Sequence, residues 1–393
     1  MAEGTPFGGN CDPRFDPVRE EFERNFRERA EVGAALAVVV DGRPVVDLWG
    51  GHADQARTRA WQRDTLVNVY STTKGMAALL AHQLIDQRQL DLDAPVARYW
   101  PEFAEAGKAA LPVRWLLCHK AGLAAVREVL PGEALYDFDA MTTALARQEP
   151  WWTPGERHGY HAVTFGWLVG ELVRRVTGRS VGAAFRERVA GPLGADFHIG
   201  LADDQHGRVA EMSGLSMEKP EGLEEPGLAA IILGDPEGLV AKAFANPPTL
   251  VLGPNTAEWR RAEIPGANGQ ANARAVARIY GVLARGGHDN GTRILSPEGV
   301  ARCREPQAEG PDLVLQISTR FGLGYMLPQA RRDFRFGPSE QAFGHPGAGG
   351  SLGFADPENR VGFGYVMNRM GPHIALDPRC VALIEATYEC LGR

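Results

Sequence analysis

Residues 69–86 read VYSTTKGMAALLAHQLID. Ser71 and Lys74 are three residues apart, so on a helix they share one face. The run after Lys74 is apolar enough to predict a buried helix with Ser71 at its first turn. A serine hydroxyl needs a base within hydrogen-bond reach to act as a nucleophile, and this spacing supplies one. Serine also commonly caps helices, so the same residues alternatively predict only a helix start.

A second Ser-x-x-Lys stretch lies at Ser216 and Lys219. Pro-Glu-Gly follows it and no apolar helix lies behind it, so we expect its lysine to be exposed. We therefore interpret this second match as coincidental.

Chain length, net charge and the distribution of apolar residues limit the classes of protein to which this chain can belong. A chain of 393 residues predicts two domains, because single cores stop growing at about 250–300 residues. A net charge of −7 gives no reason to expect binding to nucleic acid or an anionic membrane. The first residues lack the basic start and apolar run of a secretory signal, and no long apolar run follows, which predicts a cytoplasmic protein.

Metal and cofactor sites are not predicted. The five cysteines are scattered without a Cys-x-x-Cys pair. His158 and His161 are three apart, but no HExxH motif accompanies them.

The order of periodic segments predicts an α/β (α+β) fold. Residues 13–30 carry one apolar stripe of a helix, and two β-rich runs then meet at Asp41-Gly42, a strong hairpin signal. Helical segments with Pro/Gly loops occupy about 71–290, and FGLGYML, SLGFADP and RVGFGYVMN return as strands before a helix at about 377–391. We expect an antiparallel sheet flanked by N- and C-terminal helices, built from 1–70 and 290–393. A mainly helical domain, 71–289, is inserted, with the active site at the interface.

Several segments resemble the serine β-lactamase and penicillin-binding-protein superfamily. VYSTTKG resembles its Ser-x-x-Lys segment, VRWLLCHKAGL (113–123) its LLtHtSGL segment, and PGERHGYHAVTFGWLVGELVRRVTG (154–178) its Tyr-x-Asn segment. GPLG (191–194) and GHPGAGGSLGFADPENRVGFGYVMN (344–368) are similar to its later PLG and Lys-Thr-Gly segments. The order is the family's, and the matches span roughly residues 30–370.

The resemblance implies three catalytic residues. Ser71 matches the acylated nucleophile, Lys74 its proton-accepting neighbour, and Tyr160 the tyrosine that completes the base system. Burial lowers the pKa of a lysine, and a nearby ammonium can lower the pKa of a tyrosine. Lys74 and Tyr160 are therefore treated as a coupled pair, and which of them accepts the proton stays open.

The resemblance also implies how the substrate is held. Gly347 allows the strand to approach the substrate closely, and the next residue, Ala348, would offer its N–H as an oxyanion donor beside that of Ser71. His345 stands where the family has the lysine that helps to hold a drug carboxylate.

Two departures from the family pattern bear on the substrate. Ala162 replaces the asparagine that contacts a substrate amide, and His345 replaces a fixed cation. An uncharged ester needs neither feature, so the pattern resembles the β-lactamase-like carboxylesterases of family VIII better than true β-lactamases. The resemblance implies hydrolysis of small, short-chain esters through an acyl-enzyme on Ser71.

A competing motif lies at GGSLG, residues 349–353, which matches the G-x-S-x-G of α/β-hydrolases and is followed by Asp356 and His373. That motif requires a helix after the serine, whereas the sequence after Ser351 predicts strand, turn and strand.

Other readings of the same site remain open. An acyltransferase, a β-lactamase or a D-aminopeptidase would use the same acyl-enzyme, and a non-catalytic protein of this fold would bind an acyl ligand. The expected partner is a small-molecule ester, and a homo-oligomer is possible.

Overall fold

The computed structural model describes residues 4–214, 234–248, 253–289, 291–374 and 376–393. Its main sheet has six antiparallel strands in the order β1-β3-β2-β13-β12-β11. These strands are β1 (Phe7–Cys11), β2 (Gly33–Val40), β3 (Arg43–Gly51), β11 (Phe343–Pro346), β12 (Leu352–Asp356) and β13 (Val361–Met367). The central pair, β2 and β13, joins the two ends of the chain, as the α/β fold class predicted.

The predicted hairpin joins β2 to β3. Asp41 and Gly42 have φ values of 49° and 79°. Two positive φ values in a two-residue loop belong to a type I′ turn, whose twist matches that of the strands. The Asp-Gly signal therefore corresponds to the observed geometry.

Smaller strands complete the β structure. A three-stranded sheet has the order β4-β6-β5, and two further pairs are β7–β8 and β9–β10. Their bounds are β4 (Val67–Asn68), β5 (Phe197–His198), β6 (Gln270–Ala271), β7 (His288–Asp289), β8 (Thr292–Arg293), β9 (Ala308–Pro311) and β10 (Ser318–Phe321).

Helices pack on the sheet and occupy much of the sequence between β3 and β11. They are α1 (Asp16–Glu28), α2 (Thr72–Asp86), α3 (Val113–Leu117), α4 (Phe138–Arg147), α5 (Thr164–Thr177), α6 (Val181–Phe185), α7 (Gly191–Leu193), α8 (Leu239–Ala245), α9 (Ala257–Arg261), α10 (Ala273–Ala284), α11 (Pro297–Cys303) and α12 (Pro378–Leu391). A π-helical turn, Arg186–Ala190, connects α6 to α7.

Helix α10 packs closely against one face of the sheet because glycines face it. A Cβ on Gly364 would lie 2.4 Å from the Ala273 carbonyl oxygen, and one on Gly362 would lie 2.2 Å from the Gly281 nitrogen. Tyr365 alternates to the other face, where α1 and α12 pack together.

Helix α2 lies between the sheet and the helical region. All of its residues from Thr72 to Leu84 are buried, and it contacts both α5 and β11. A helix that is buried on every side belongs to a core. Its first turn, which carries Ser71, therefore lies where the two parts of the chain meet.

The proposed division at residues 70–71 and 289–290 stays a prediction. Helix α10 precedes residue 290 and yet packs on the sheet. Helices α8 and α9 lie in the inserted part of the chain, and Trp259 in α9 is fully buried. Ser216 and Lys219 lie outside the described residues.

No helix in the described ranges has the length and apolar character needed to cross a membrane.

Candidate active site

Ser71 sits in a tight turn immediately before α2. The preceding residue, Tyr70, is buried and has a φ of 43°, a left-handed conformation that is rare for a residue with a side chain. The Thr73 hydroxyl donates to the Tyr70 carbonyl oxygen at 2.5 Å and accepts from the Gly269 N–H at 2.9 Å. Such strained backbone persists only when its surroundings hold it, and here Thr73 supplies two of the contacts.

Lys74 contacts the Ser71 hydroxyl directly. Its Nζ lies 2.9 Å from Ser71 Oγ, as the helical spacing predicted. The same nitrogen donates to the backbone carbonyl oxygens of Ala162, at 2.6 Å, and Gly266, at 2.8 Å. Lys74 is fully buried. Among the described residues its amine therefore has three hydrogen-bonded oxygen neighbours, one side-chain hydroxyl and two backbone carbonyls.

Burial lowers the pKa of Lys74 well below the 10.5 of a free lysine. Within the described ranges no carboxylate pairs with it, so no negative charge opposes this effect. In a neutral amine, two N–H groups can donate to the two carbonyl oxygens. The remaining lone pair then faces Ser71 Oγ, which is the arrangement that a general base requires.

Tyr160 lies against both residues. Lys74 Nζ is 4.8 Å from the centre of its ring, which stacks on Phe321 at 6.1 Å. Burial raises the pKa of Tyr160 above 10, although a side-chain hydrogen bond with Ser71 acts in the opposite direction. Its phenol is therefore neutral and can donate a proton, whereas a phenolate is disfavoured here.

Asp312 holds the backbone of Tyr160, a role that the sequence did not reveal. Its buried carboxylate accepts the Tyr160 N–H at 3.0 Å and the N–H groups of Val314 and Leu315 at 2.8 and 2.9 Å. Thr319 donates to the same carboxylate at 3.1 Å. A Pro-Asp turn signal precedes these contacts in the sequence, but it does not indicate that Tyr160 is the partner.

A glycine-rich turn follows strand β11. The Gly350 N–H donates to the Gly347 carbonyl oxygen at 3.1 Å, and Gly349 has a φ of 86°. A positive φ at the third position defines a type II turn, in which Ala348 is the second residue. We call residues 347–350 the glycine turn.

The glycine turn packs directly against the segment that carries Ser71. A Cβ on Gly347 would lie 2.2 Å from the Val69 carbonyl oxygen, so a side chain at this position would clash with the Ser71 segment. The approach of this glycine to a substrate stays a prediction. Ala348 is exposed. Among the described residues, neither its N–H nor that of Ser71 donates to another protein group.

His345 is buried and neutral. Its Nδ1 donates to the Pro346 carbonyl oxygen at 2.7 Å, and burial, with a smaller contribution from Lys74, lowers its pKa to about 3. Within the described chain its Nε2 has no hydrogen-bond partner. His345 therefore presents no positive charge to a substrate.

Ser351 belongs to the support of the site. Its hydroxyl donates to the Val69 carbonyl oxygen at 2.8 Å and lies 3.2 Å from Thr72 Oγ1. Strand β12, not a helix, follows it. Asp356 instead accepts the Tyr388 hydroxyl at 2.7 Å. The structure therefore contradicts the α/β-hydrolase motif at this position.

Two histidines close to Tyr160 in the sequence form hydrogen bonds with other groups of the protein. His161 donates through Nδ1 to the Gly159 carbonyl oxygen at 2.7 Å and accepts the Leu123 N–H at 3.1 Å. His158 contacts the Thr319 hydroxyl at 2.8 Å. The described part of the chain contains no group of three or more histidine, cysteine or acidic residues that could hold a metal ion.

The structure thus brings Ser71, Lys74 and Tyr160 together, with the glycine turn beside Ser71. The carbonyl oxygens of Ala162 and Gly266 were missed, because a backbone acceptor leaves no side-chain signature in a sequence.

A buried helix that carries Ser-x-x-Lys beside an antiparallel sheet defines the class of serine β-lactamases and penicillin-binding proteins. The beta-lactamase family model matches residues 21–384. The chain therefore belongs to the beta-lactamase family.

Two solved structures and one curated protein show how similar its relatives are. A family VIII carboxylesterase is 45% identical, with a TM-score of 0.89 over 98% of this chain and 100% of that chain. A penicillin-binding protein homologue from Caulobacter crescentus is 42% identical, with the same TM-score and coverage. The esterase/beta-lactamase LipL of Mycobacterium tuberculosis is 39% identical over 92% of this chain and 83% of that protein.

Proposed function

We propose that this protein is a serine carboxylesterase that hydrolyses small, short-chain esters through an acyl-enzyme on Ser71. The observation that carries the proposal is the environment of Lys74. Its buried amine lies 2.9 Å from Ser71 Oγ and is held by two carbonyl oxygens. A neutral amine held in this way accepts the serine proton as Ser71 attacks the ester carbonyl carbon.

Tyr160 supplies the next proton transfer. Its raised pKa keeps the phenol protonated, so it donates to the departing alkoxide and recovers a proton from Lys74. Water then attacks the acyl carbonyl carbon as Lys74 accepts its proton, and that proton passes to Ser71 Oγ when the bond between the acyl carbon and Oγ breaks. Each step uses proton carriers within the Ser71–Lys74–Tyr160 group.

The oxyanion is held by two backbone N–H groups, those of Ser71 and Ala348. The glycine turn places residue 348 beside the Ser71 segment, and neither N–H donates elsewhere in the described chain. One such donor is worth about 10²–10³ in kcat.

An ester, rather than an amide with a carboxylate, fits the remaining side chains. Position 162 contributes only a carbonyl oxygen to Lys74, and His345 is neutral and buried. A substrate carboxylate would therefore find no fixed cation at position 345. The names of the 45% and 39% identical relatives, a carboxylesterase and an esterase/beta-lactamase, support the same class.

Rates on three substrates test the proposal. We expect kcat/KM to be highest for p-nitrophenyl butyrate, lower for nitrocefin and lowest for a D-Ala-D-Ala peptide, and we expect each activity to be lost in Ser71→Ala. Higher kcat/KM for nitrocefin or the peptide would instead assign a β-lactamase or peptidase. Faster product formation on adding an alcohol acceptor would assign an acyltransferase, and ligand binding without turnover would assign an acyl-binding protein.

A further inference from the structure

Three charged side chains form a buried cluster beside the site, and no catalytic step uses them. Arg379 donates through Nε to Asp377 Oδ1 at 2.8 Å and through Nη1 to Glu31 Oε1 at 2.9 Å. Each of the three residues is at most 4% exposed. Burying charges is costly unless they are closely paired, so this pairing fixes where the guanidinium lies.

One guanidinium nitrogen extends from the cluster to the glycine turn. Arg379 Nη2 donates to Asp377 Oδ2 and to the Gly349 carbonyl oxygen, both at 2.9 Å. The Gly371 N–H donates to the same carbonyl oxygen at 2.8 Å. Two donors on one carbonyl fix the orientation of that peptide group, and Gly349 directly follows Ala348.

The turn also packs against the cluster without intervening side chains. A Cβ on Gly350 would lie 3.2 Å from Arg379 Nη2 and 3.2 Å from Asp377 Cβ. The cluster is itself anchored, since Tyr365 on β13 donates to Glu31 and Asn25 on α1 donates to the Arg379 carbonyl oxygen at 3.2 Å. Three elements of the α/β region are thereby tied to the turn.

We propose that Arg379 is a positioning residue that holds the glycine turn so that the Ala348 N–H points at the oxyanion. The inference rests on the proposed function, because it assumes that Ala348 donates to the oxyanion on Ser71. Arginine suits the role because its planar fork can donate to Asp377, Glu31 and Gly349 together. A lysine ammonium lacks that fork, so Arg379→Lys should keep the charge and loosen the turn.

The test compares Arg379→Lys with the parent protein. We expect kcat to fall about tenfold or more, as partial loss of an oxyanion donor requires, while KM changes less than about threefold. The affinity for a short alkyl boronic acid, which forms a tetrahedral adduct with an active serine, should fall by the same factor as kcat. A residue with only a structural role would not weaken the tetrahedral adduct selectively.

Tyr388→Phe is the matched control, because it removes a different buried hydrogen bond from the same helix. It should leave kcat and boronic acid affinity near parental values. If Arg379→Lys does not fold, the triple variant Glu31→Gln, Asp377→Asn, Arg379→Met removes every charge of the cluster and should show the same selective loss.

The inference would be overturned if a folded Arg379 variant kept the parental kcat and boronic acid affinity, or if Tyr388→Phe lost as much of both. In either case Ser71→Ala would still be inactive. An active Ser71→Ala would overturn the proposed function and the inference together.

Discussion

At the scale of single residues, the chemistry depends on what surrounds Lys74. The Ser71–Lys74 contact follows from helical spacing, and the sequence predicted it. The two carbonyl oxygens that hold the amine come from residues 162 and 266, which lie in distant parts of the sequence. Their carbonyl oxygens could not be predicted from residue type, because every residue carries one. The choice of base, which the sequence left open, depends on these contacts and on the raised pKa of Tyr160.

The pH dependence of kcat/KM distinguishes the two candidate bases. If neutral Lys74 is the base, activity is lost as the pH falls through its pKa, which burial places well below 10.5. Tyr160→Phe should lower kcat by about 10²-fold, as loss of a proton donor does, and leave this acid limb at about the same pH. A pH–rate profile of both proteins checks this. An acid limb that disappears in Tyr160→Phe would instead assign the base to Tyr160.

The substitution Ser351→Ala distinguishes a structural role of Ser351 from a catalytic one. Ser351 donates to the Val69 carbonyl oxygen, so its loss should lower the free energy of unfolding by about 1–2 kcal/mol. The rate of Ser71 acylation should stay within about threefold of the parent, since Ser351 carries no reacting atom. Urea unfolding and burst kinetics measure the two effects. Complete inactivity of a folded Ser351→Ala protein would contradict this assignment.

At the scale of elements, local signals were reliable where one turn joins neighbouring strands. Asp41-Gly42 predicted the β2–β3 pair, and the turn expected after Ser351, which is DPEN at residues 356–359, predicted the β12–β13 pair; the structure contains both pairs. FGLGYML was predicted as one strand, but only parts of it are β structure. Phe321 ends β10, and Met326 forms isolated antiparallel bridges with Phe321 and Gly344. Between them, Gly324 has a φ of 87° and turns the chain against Ala78. Strand β1 was missed because its residues, FGGNC, lack alternation and include two glycines.

A substitution at Gly364 tests whether the close packing of α10 on the sheet contributes to stability. A Cβ there would lie 2.4 Å from the Ala273 carbonyl oxygen, so Gly364→Ala should force helix and strand apart and cost about 1–3 kcal/mol. Gly207→Ala is the control, because a Cβ at that exposed glycine meets no atom within 4 Å. Its effect should stay within about 0.5 kcal/mol. Urea unfolding of the two variants compares them, and equal stabilities would contradict the packing argument.

At the scale of the whole molecule, the site is assembled from four separate parts of the chain. Helix α2, the loop at residues 160–162, the loop at residue 266 and the glycine turn meet between the sheet and the helical region. The order of motifs predicted that the first, second and fourth converge, because the same order marks the family. The cluster around Arg379 could not be predicted, since hydrogen bonds from Asn25 on α1 and Tyr365 on β13 join it to those elements, and no motif relates these residues. The domain boundaries, a cytoplasmic location and a homo-oligomer stay predictions.

Acylation of Ser71 can be detected by covalent labelling. The parent protein and Ser71→Ala are treated with an alkyl fluorophosphonate, and the adduct is located by intact mass and peptide mapping. We expect one adduct per chain, on the peptide that contains Ser71, and no adduct in Ser71→Ala. An adduct on the peptide that contains Ser351, or undiminished labelling of Ser71→Ala, would rule out Ser71 as the nucleophile.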